Sequence, residues 1–157
     1  MSDSPIAPIL GRIPSGVFIL TALHDTDETG MLTSWVQQAG FDPPMISVAL
    51  RLDRFVAEWL TNEAPFVLNV IRADQIHLLK HFGKGFEPGQ DAFAGLVVER
   101  DPRGVAVLAD SLGHLECEVT TYADSGDHRI FLAQIVGGRF SGAGEPLIHI
   151  RKNGTHY

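Results

Sequence analysis

The sequence predicts a mainly β (α+β) fold, a closed antiparallel β-barrel with two or three short helices. Two observations predict it. Short apolar segments rich in branched and aromatic residues alternate with turns rich in Asp, Gly and Pro, as in hairpin-linked strands. Helical spacing of apolar residues is confined to two brief stretches, residues 53–61 and 74–82. Closure is expected because it removes the exposed edges on which strands of other chains could pair.

The first part of the predicted sheet consists of three strands. Gly16 to Ala22 is apolar on both faces, which is typical of a buried strand. The polar turn from His24 to Gly30 predicts that Met31 to Ala39 returns antiparallel as a hairpin. A tight turn at Pro43-Pro44 then leads into a third strand, Met45 to Leu50.

Two short helices and another buried strand follow. Asp53 is the predicted N-cap of a helix that runs to about Thr61, and Asp74 is the predicted N-cap of a second helix. Between them, Phe66 to Ile71 is predicted to be a buried strand. The apolar stripe predicted for the second helix consists of Ile76, Leu79 and Phe82.

The remainder of the chain supplies a loop and three strands. The irregular, glycine-rich stretch Gly83 to Gly95 is the kind of loop that often holds a ligand in a compact domain. Leu115 to Thr121 alternates apolar and polar side chains, which predicts a strand with one wet face. His128 to Gly138 is apolar on both faces and is expected inside the sheet, and Leu147 to Ile150 is the predicted final strand.

Composition limits the classes of function. At 157 residues the chain is expected to form a single domain, residues 1–157, with residues 1–8 as a flexible N-terminal arm. The net charge of −7 argues against nucleic-acid binding. Cys117 is the only cysteine, which excludes an intramolecular disulfide and indicates a cytoplasmic location. No apolar run approaches the roughly 18 residues of a membrane span, so no membrane association is expected.

Small hydroxylated residues and arginines on the second and third strands indicate a ligand site. Thr33 and Ser34 lie beside Trp35, where a purely structural strand would more often carry branched apolar residues. Arg51 and Arg54 follow the third strand close to a predicted helix start, whose unpaired N–H groups favour an anion. We therefore predict one ligand that spans both places, with a planar ring near the hydroxyls and a phosphate near the arginines.

Each of these assignments has a structural alternative. Ser and Thr are also tolerated on strands, and Trp35 would more often be a core residue than a stacking one. Arg51 and Arg54 could form a solvated pair beside the helix that bridges to Asp53 or Glu58. Their position between a strand end and a helix start favours the phosphate, because Arg offers a bidentate fork to anions.

Other residues that could carry chemistry are assigned structural roles. His77 and His81 stand one helical turn apart, a spacing that can chelate a metal, but no third ligand is evident and no metal site is predicted. Glu116 and Glu118 are explained by the wet face of their strand rather than as paired catalytic carboxylates. Cys117 alternates with them and is expected to face inward and to be inert.

Several segments together resemble a known family. In chain order they are Gly16 to Ala22, Thr33-Ser34-Trp35-Val36 before Pro43-Pro44, Phe66 to Val70, Leu115 to Glu118, Gly126-Asp127-His128 and the closing Tyr157. On these segments the chain resembles the flavin reductase-like family, which has the FMN-binding split β-barrel fold. The resemblance is greatest to the modules of this type in cyanobacterial flavodiiron proteins and in small stand-alone FMN-binding proteins.

The resemblance implies a flavin reductase-like oxidoreductase. FMN, with FAD as the alternative, would accept a hydride from NADH or NADPH, and the electrons would pass to an acceptor protein or an oxygenase. Family members are generally homodimers with the flavin near the subunit contact. The alternative is a non-catalytic FMN-binding electron-transfer module without NAD(P)H activity.

The resemblance also implies roles for individual residues. The ring would be edged by Thr33, Ser34, Trp35 and Val36, the phosphate approached by Leu50, Arg51 and Arg54, and that end covered by the loop with Phe82 and Lys84. His128 would be the catalytic residue near the nicotinamide or the flavin face. The chain departs from the family pattern at Gln38 and at Asp53, and Asp53 would repel a phosphate unless it faces the helix cap.

Overall fold

The computed structural model describes residues 4–156, and that range contains three helices and eleven strands. The helices are α1 (Ala7–Gly11), α2 (Phe55–Thr61) and α3 (Ile76–Gly83). The strands are β1 (Ser15–Gly16), β2 (Phe18–His24), β3 (Asp27–Thr33), β4 (Val36–Phe41), β5 (Pro44–Arg51), β6 (Phe66–Val70), β7 (Val98–Arg100), β8 (Ala106–Leu108), β9 (Gly113–Ser125), β10 (His128–Phe140) and β11 (Ile148–His149). No helix within residues 4–156 is long and apolar enough to cross a membrane.

Seven of the strands form one antiparallel sheet, which confirms the predicted mainly β fold with a few short helices. The strand order is β3-β2-β6-β9-β10-β5-β4. Strands β9 and β10, of 13 residues each, form a long hairpin inside this sheet, so His128 to Gly138 lies away from the edges as predicted. Strands β1 and β11 form a separate two-stranded ladder, as do β7 and β8.

The sheet curls around a large apolar core. In a flat seven-stranded sheet, six spacings of ~4.8 Å would put the edge strands about 29 Å apart. Met31 of β3 and Val36 of β4 nevertheless pack against the same core cluster, which also contains Phe131 of β10. Hydrogen-bonded pairing between β3 and β4 is absent from residues 4–156, so the full closure predicted from sequence is not reached. The two edges are joined by the chain itself, through Ser34 and Trp35.

The segment predicted as one strand, Met31 to Ala39, is divided between two strands. Strand β3 ends at Thr33 and pairs with β2, whereas β4 begins at Val36 and pairs with β5 at the other edge of the sheet. Ser34 and Trp35 belong to neither strand, so the prediction that the hydroxyls lie in mid-strand is wrong. An alternating apolar pattern does not record a change of hydrogen-bonding partner.

Helix α2 starts without its predicted cap. Its N-cap residue is Arg54, which makes no side-chain capping hydrogen bond, and Asp53 pairs instead with Arg51 at 2.9 Å. The Arg51 guanidinium competes with the helix N–H groups for the Asp53 carboxylate, and the sequence pattern of a helix cap does not include such a competitor. The apolar face of α2, with Val56 and Leu60, is buried in the main core as its helical spacing predicts.

Helix α3 also departs from its prediction. Asp74 does not cap it, because the carboxylate pairs with Nε of Arg72 at 3.0 Å. The buried side chains of α3 are Leu78 and Phe82, while Ile76 is 48% exposed. The apolar stripe is therefore shifted around the helix, and Phe82 is its only predicted member that is fully buried.

Helix α1 begins within the segment predicted as an N-terminal arm. Helix α1 begins at Ala7, a buried residue, so residues 7 and 8 are helical. The helix contacts the C-terminal segment, because the N–H of Arg151 donates to the carbonyl of Gly11 (2.9 Å) and the N–H of Gly154 donates to that of Ala7 (2.8 Å). Residues 1–3 of the predicted arm lie outside the described range.

A buried ion pair attaches the β7–β8 ladder to the main sheet. The side chain of Asp101 is fully buried and accepts hydrogen bonds from the backbone N–H groups of Arg103 (2.8 Å) and Val105 (3.0 Å). The Arg103 guanidinium lies 2.6 Å from the same carboxylate and donates to the carbonyls of Cys117 (2.7 Å) and Phe66 (3.1 Å). The pair therefore connects the turn between β7 and β8 to β6 and β9.

The residues given structural roles from sequence fall mainly where expected. Cys117 is buried, and burial raises the pKa of its thiol to about 12. Glu118 and His77 are exposed, whereas His81 is half-buried with its Nε2 2.8 Å from the carbonyl of Ala92. Within residues 4–156 no group of three or more His, Cys, Asp or Glu side chains is placed to hold a metal ion.

Candidate functional site

One cavity lies where the ends of β3, β5 and α3 meet the C-terminal segment. Its volume is about 230 Å³, far above the roughly 15 Å³ needed for a single water. Three arginines and one histidine line it, and none of its described lining residues carries a carboxylate. Since the chain as a whole has a net charge of −7, this concentration of positive charge is local and suits an anionic ligand.

Thr33 and Ser34 form one wall of the cavity, because β3 ends there and the chain turns towards β4. Trp35 and Val36 do not line it. Both line a neighbouring hollow with Ile130, which shares Ser34 with the cavity, and Val36 also packs against the main core. Of the four residues predicted to edge a ring, the cavity thus brings together the two that carry hydroxyls.

Arg51 and Arg54 line the same cavity, at the end of β5 and the start of α2. Arg51 pairs through Nη2 with Asp53 at 2.9 Å. The alternative drawn from sequence, in which the arginines bridge to Asp53 or Glu58, is therefore present for this one pair. The buried Nε of Arg51 has no hydrogen-bond partner among the described residues, and Arg54 forms no ion pair with any of them. A buried donor without an acceptor is destabilising, and an oxygen of an anionic ligand would satisfy it.

Apolar side chains form another part of the wall. Leu50, which was predicted near the phosphate, and Phe82 both line the cavity and are almost completely buried. Met31, Leu32 and Leu79 line it beside them. These residues belong to three elements, so the apolar surface exists only in the folded protein.

Lys84, predicted to cover the phosphate end, does not line the cavity. Its side chain is exposed, with Nζ 5.2 Å from the centroid of the Phe86 ring. Gly85 lines the cavity instead, with a left-handed φ of 75°. A Cβ at Gly85 would lie 4.0 Å from Nη1 of Arg54, so the loop approaches this guanidinium through its backbone.

His128 lies behind the cavity rather than in its wall. It is opposite Arg51 in the β5–β10 ladder, and its ring centroid lies 4.6 Å from that of Trp35. Its Nδ1–H donates to Oδ1 of Asp127 at 2.6 Å, and this hydrogen bond holds the pKa of the Asp127 carboxyl below its ordinary value. The His128 side chain is largely buried.

Sequence reasoning missed two basic residues of the cavity, His149 and Arg151. His149 belongs to the two-residue strand β11, where it pairs with Ser15, and Arg151 follows directly. Neither belongs to a motif. The only local signal is the Arg151-Lys152 pair, which by itself is typical of an exposed basic segment.

The fold and the cavity define a class, a curled antiparallel β protein with short helices and a pocket suited to an anionic ligand. The chain belongs to the flavin reductase like domain family, whose family model matches residues 10–156. This match confirms the family resemblance predicted from the short segments.

Curated relatives of the chain are diflavin flavoproteins. Diflavin flavoprotein A 1 of Synechocystis sp. is 39% identical over 157 residues, which are 99% of this chain and 27% of the relative. Putative diflavin flavoprotein A 1 of Thermosynechococcus vestitus is 38% identical over 157 residues, 99% of this chain and 28% of the relative. The chain therefore spans little more than a quarter of the length of the curated relatives it matches.

Solved structures with the same fold include flavin reductases. The NADH:FAD oxidoreductase SgcE6 of Streptomyces globisporus superposes with a TM-score of 0.85 at 25% identity, over 91% of this chain and 85% of that chain. Nitrilotriacetate monooxygenase component B from Mycobacterium thermoresistibile gives a TM-score of 0.83 at 25% identity, over 92% of this chain and 80% of that chain.

Proposed function

We propose that this chain binds FMN in the cavity, accepts a hydride on it from NADH or NADPH, and passes the electrons to an acceptor. One observation carries the proposal. The cavity joins a hydroxyl-bearing wall, Thr33 and Ser34, to the guanidinium groups of Arg51 and Arg54, with no carboxylate among its described lining residues. A bound flavin would supply the hydride chemistry, and the protein would supply binding and orientation.

The residues present fit a flavin mononucleotide. The unsatisfied Nε of Arg51 and the guanidinium of Arg54, which has no ion pair among residues 4–156, would donate to the phosphate. Thr33 and Ser34 would donate hydrogen bonds to the polar edge of the ring, and Phe82 would contribute an apolar surface. Lys84 is not among the proposed FMN ligands, since its side chain is exposed and does not line the cavity.

His128 has a positioning role in this proposal. Its ring contacts Trp35, and Trp35 directly follows Ser34 in the turn that forms the cavity wall. His128 would therefore shape the site for the hydride donor by holding this turn, with Asp127 orienting the imidazole through Nδ1.

The comparisons support the donor and partner in the proposal. One structural neighbour is named an NADH:FAD oxidoreductase and another a component of a monooxygenase, which favours a nicotinamide donor and an oxygenase or other protein as acceptor. The proposal includes a homodimer, for which exposed apolar residues such as Ile13 (63%) and Ile148 (66%) offer a surface. The proposed compartment is the cytoplasm, since the only thiol is buried and unpaired.

Anaerobic stopped-flow mixing tests the proposal. When purified protein loaded with FMN is mixed with NADH or NADPH, the absorbance of the bound oxidised flavin is expected to disappear on a turnover timescale. The rival is an electron-transfer module without nicotinamide activity, favoured by relatives that are named diflavin flavoproteins and are almost four times as long. Tight FMN binding without bleaching by either nucleotide would support this rival, and chromatography of the released chromophore would separate FMN from FAD.

Asp53→Asn is expected to tighten FMN binding about threefold. The Asp53 carboxylate, 61% exposed, holds Nη2 of Arg51 at 2.9 Å and places a negative charge beside the proposed phosphate site. Removing that charge frees the guanidinium for the ligand. Fluorescence titration with FMN measures the effect, and Asp124→Asn is the matched control, because Asp124 pairs with Arg129 outside the cavity lining. Weaker FMN binding in Asp53→Asn than in the control would contradict the prediction.

A further inference from the structure

The backbone of Arg151, a residue of the cavity wall, is hydrogen-bonded to the N-terminal helix α1. Its N–H donates to the carbonyl of Gly11 at 2.9 Å, and Gly154, three residues later, donates to the carbonyl of Ala7 at 2.8 Å. A Cβ at Gly11 would lie only 2.4 Å from the carbonyl oxygen of Arg151, so the two segments are in direct backbone contact. The position of the Arg151 backbone is therefore set by its contacts with helix α1.

The charge of Arg151 is not compensated by any described residue. Its guanidinium carbon lies 5.4 Å from the centroid of the Trp35 ring, and Nη1 donates to the carbonyl of His156 at 3.0 Å. No carboxylate among residues 4–156 pairs with it, in contrast to Arg51, which pairs with Asp53. Arg151 thus places an uncompensated positive charge on the cavity wall, over the ring of Trp35.

We propose that Arg151 stabilises the reduced form of the bound flavin and so raises its reduction potential. This inference rests on the proposed function, in which the ring lies along Thr33 and Ser34 and the phosphate lies at Arg51 and Arg54. Arg151 is then the arginine at the ring end of the cavity.

The two ends of the ligand respond differently to reduction. A hydride delivers two electrons and one proton, so the ring gains one negative charge while the charge of the phosphate stays the same. A cation beside the ring therefore binds the reduced form more tightly than the oxidised form, whereas a cation at the phosphate binds both forms equally. By linkage, a preference for the reduced form raises the potential by the same free energy.

Three variants separate this role from a structural one. Arg151→Lys keeps the charge, Arg151→Gln keeps a donor for the His156 carbonyl but removes the charge, and Arg54→Gln removes a charge from the phosphate end. Spectroelectrochemical titration of the FMN-loaded proteins measures the midpoint potential, and FMN titration measures affinity. In Arg151→Gln the ratio of affinities for reduced and oxidised FMN is expected to fall about tenfold. This change lowers the midpoint potential by about 30 mV for a two-electron couple.

The controls are expected to give different patterns. Arg151→Lys should keep a potential close to that of the unaltered protein, and Arg54→Gln should weaken FMN binding without shifting the potential. An unchanged potential in Arg151→Gln, or equal falls in Arg151→Gln and Arg151→Lys, would overturn the inference and leave the proposed function standing. An equal fall in Arg54→Gln would overturn it too, since the effect would then belong to the whole cavity. Failure of the unaltered protein to bind flavin would overturn the proposed function and this inference with it.

Discussion

Arg51→Ala is expected to weaken FMN binding about a hundredfold and riboflavin binding only a few fold. A charge-assisted hydrogen bond contributes about 1.5–3 kcal/mol, and about 1.4 kcal/mol corresponds to a tenfold change in affinity. The variant removes the buried Nε donor that has no partner in the described residues. It also leaves Asp53 without the guanidinium it contacts at 2.9 Å, so the carboxylate would repel the phosphate.

The comparison of the two ligands makes the Arg51 test specific. Riboflavin has the same ring as FMN but lacks the phosphate, so general damage to the cavity would weaken both ligands alike. Arg139→Ala is the matched control, because Arg139 is exposed, pairs with Glu99 and does not line the cavity. Equal weakening of FMN and riboflavin by Arg51→Ala would exclude the phosphate role.

Asp101→Ala is expected to lower the free energy of unfolding by about 3–5 kcal/mol. Its carboxylate is fully buried and is the ion-pair partner of Arg103, whose side chain is 19% exposed. Without Asp101 the guanidinium would remain charged in a largely buried place, and the N–H of Val105 would lose its acceptor at 3.0 Å. Urea unfolding followed by tryptophan fluorescence measures the loss.

The ion-pair explanation can be separated from simple loss of packing. Asp101→Asn keeps the shape and an acceptor oxygen, so its loss of stability is expected to be smaller than that of Asp101→Ala. Adding Arg103→Met to Asp101→Ala removes the uncompensated charge and is expected to recover part of the lost stability. If the losses in free energy of unfolding caused by Asp101→Ala and by Arg103→Met simply add in the double variant, the two side chains act independently and the ion-pair explanation is wrong.

Local patterns predicted most strands, both later helices and the family. The buried strands β2 and β6, the turn between β4 and β5 and the long strand that starts at His128 follow from apolar periodicity and turn chemistry, which involve neighbouring residues only. The turn lies at Asp42-Pro43, one residue before its predicted position, because Pro44 already belongs to β5. Arg51 and Arg54, at and after the end of β5, and Thr33 and Ser34, at and after the end of β3, line one cavity. The sequence predicted one ligand for these four residues because each pair stands beside a strand end.

Competition between partners explains the errors within single elements. Asp53 and Asp74 have the residue type and position of helix caps, but each has an arginine within 3.0 Å that binds its carboxylate instead. Likewise, Lys84 stands between two glycines that line the cavity, yet its own side chain turns to Phe86. Which of several nearby partners a polar side chain chooses depends on distances that a linear pattern does not contain.

The amino-acid sequence alone was sufficient for the class of fold and the family, since these depend on residue type and on spacing along the chain. Tertiary structure decided which residues share the cavity. The chain changes strand partner at Ser34 and Trp35, and of these two residues only Ser34 lines the cavity. The contact between helix α1 and the C-terminal segment brings Arg151 into the same cavity wall. Proximity in a curled sheet is set by how distant segments pack together, and no periodicity along the chain specifies it.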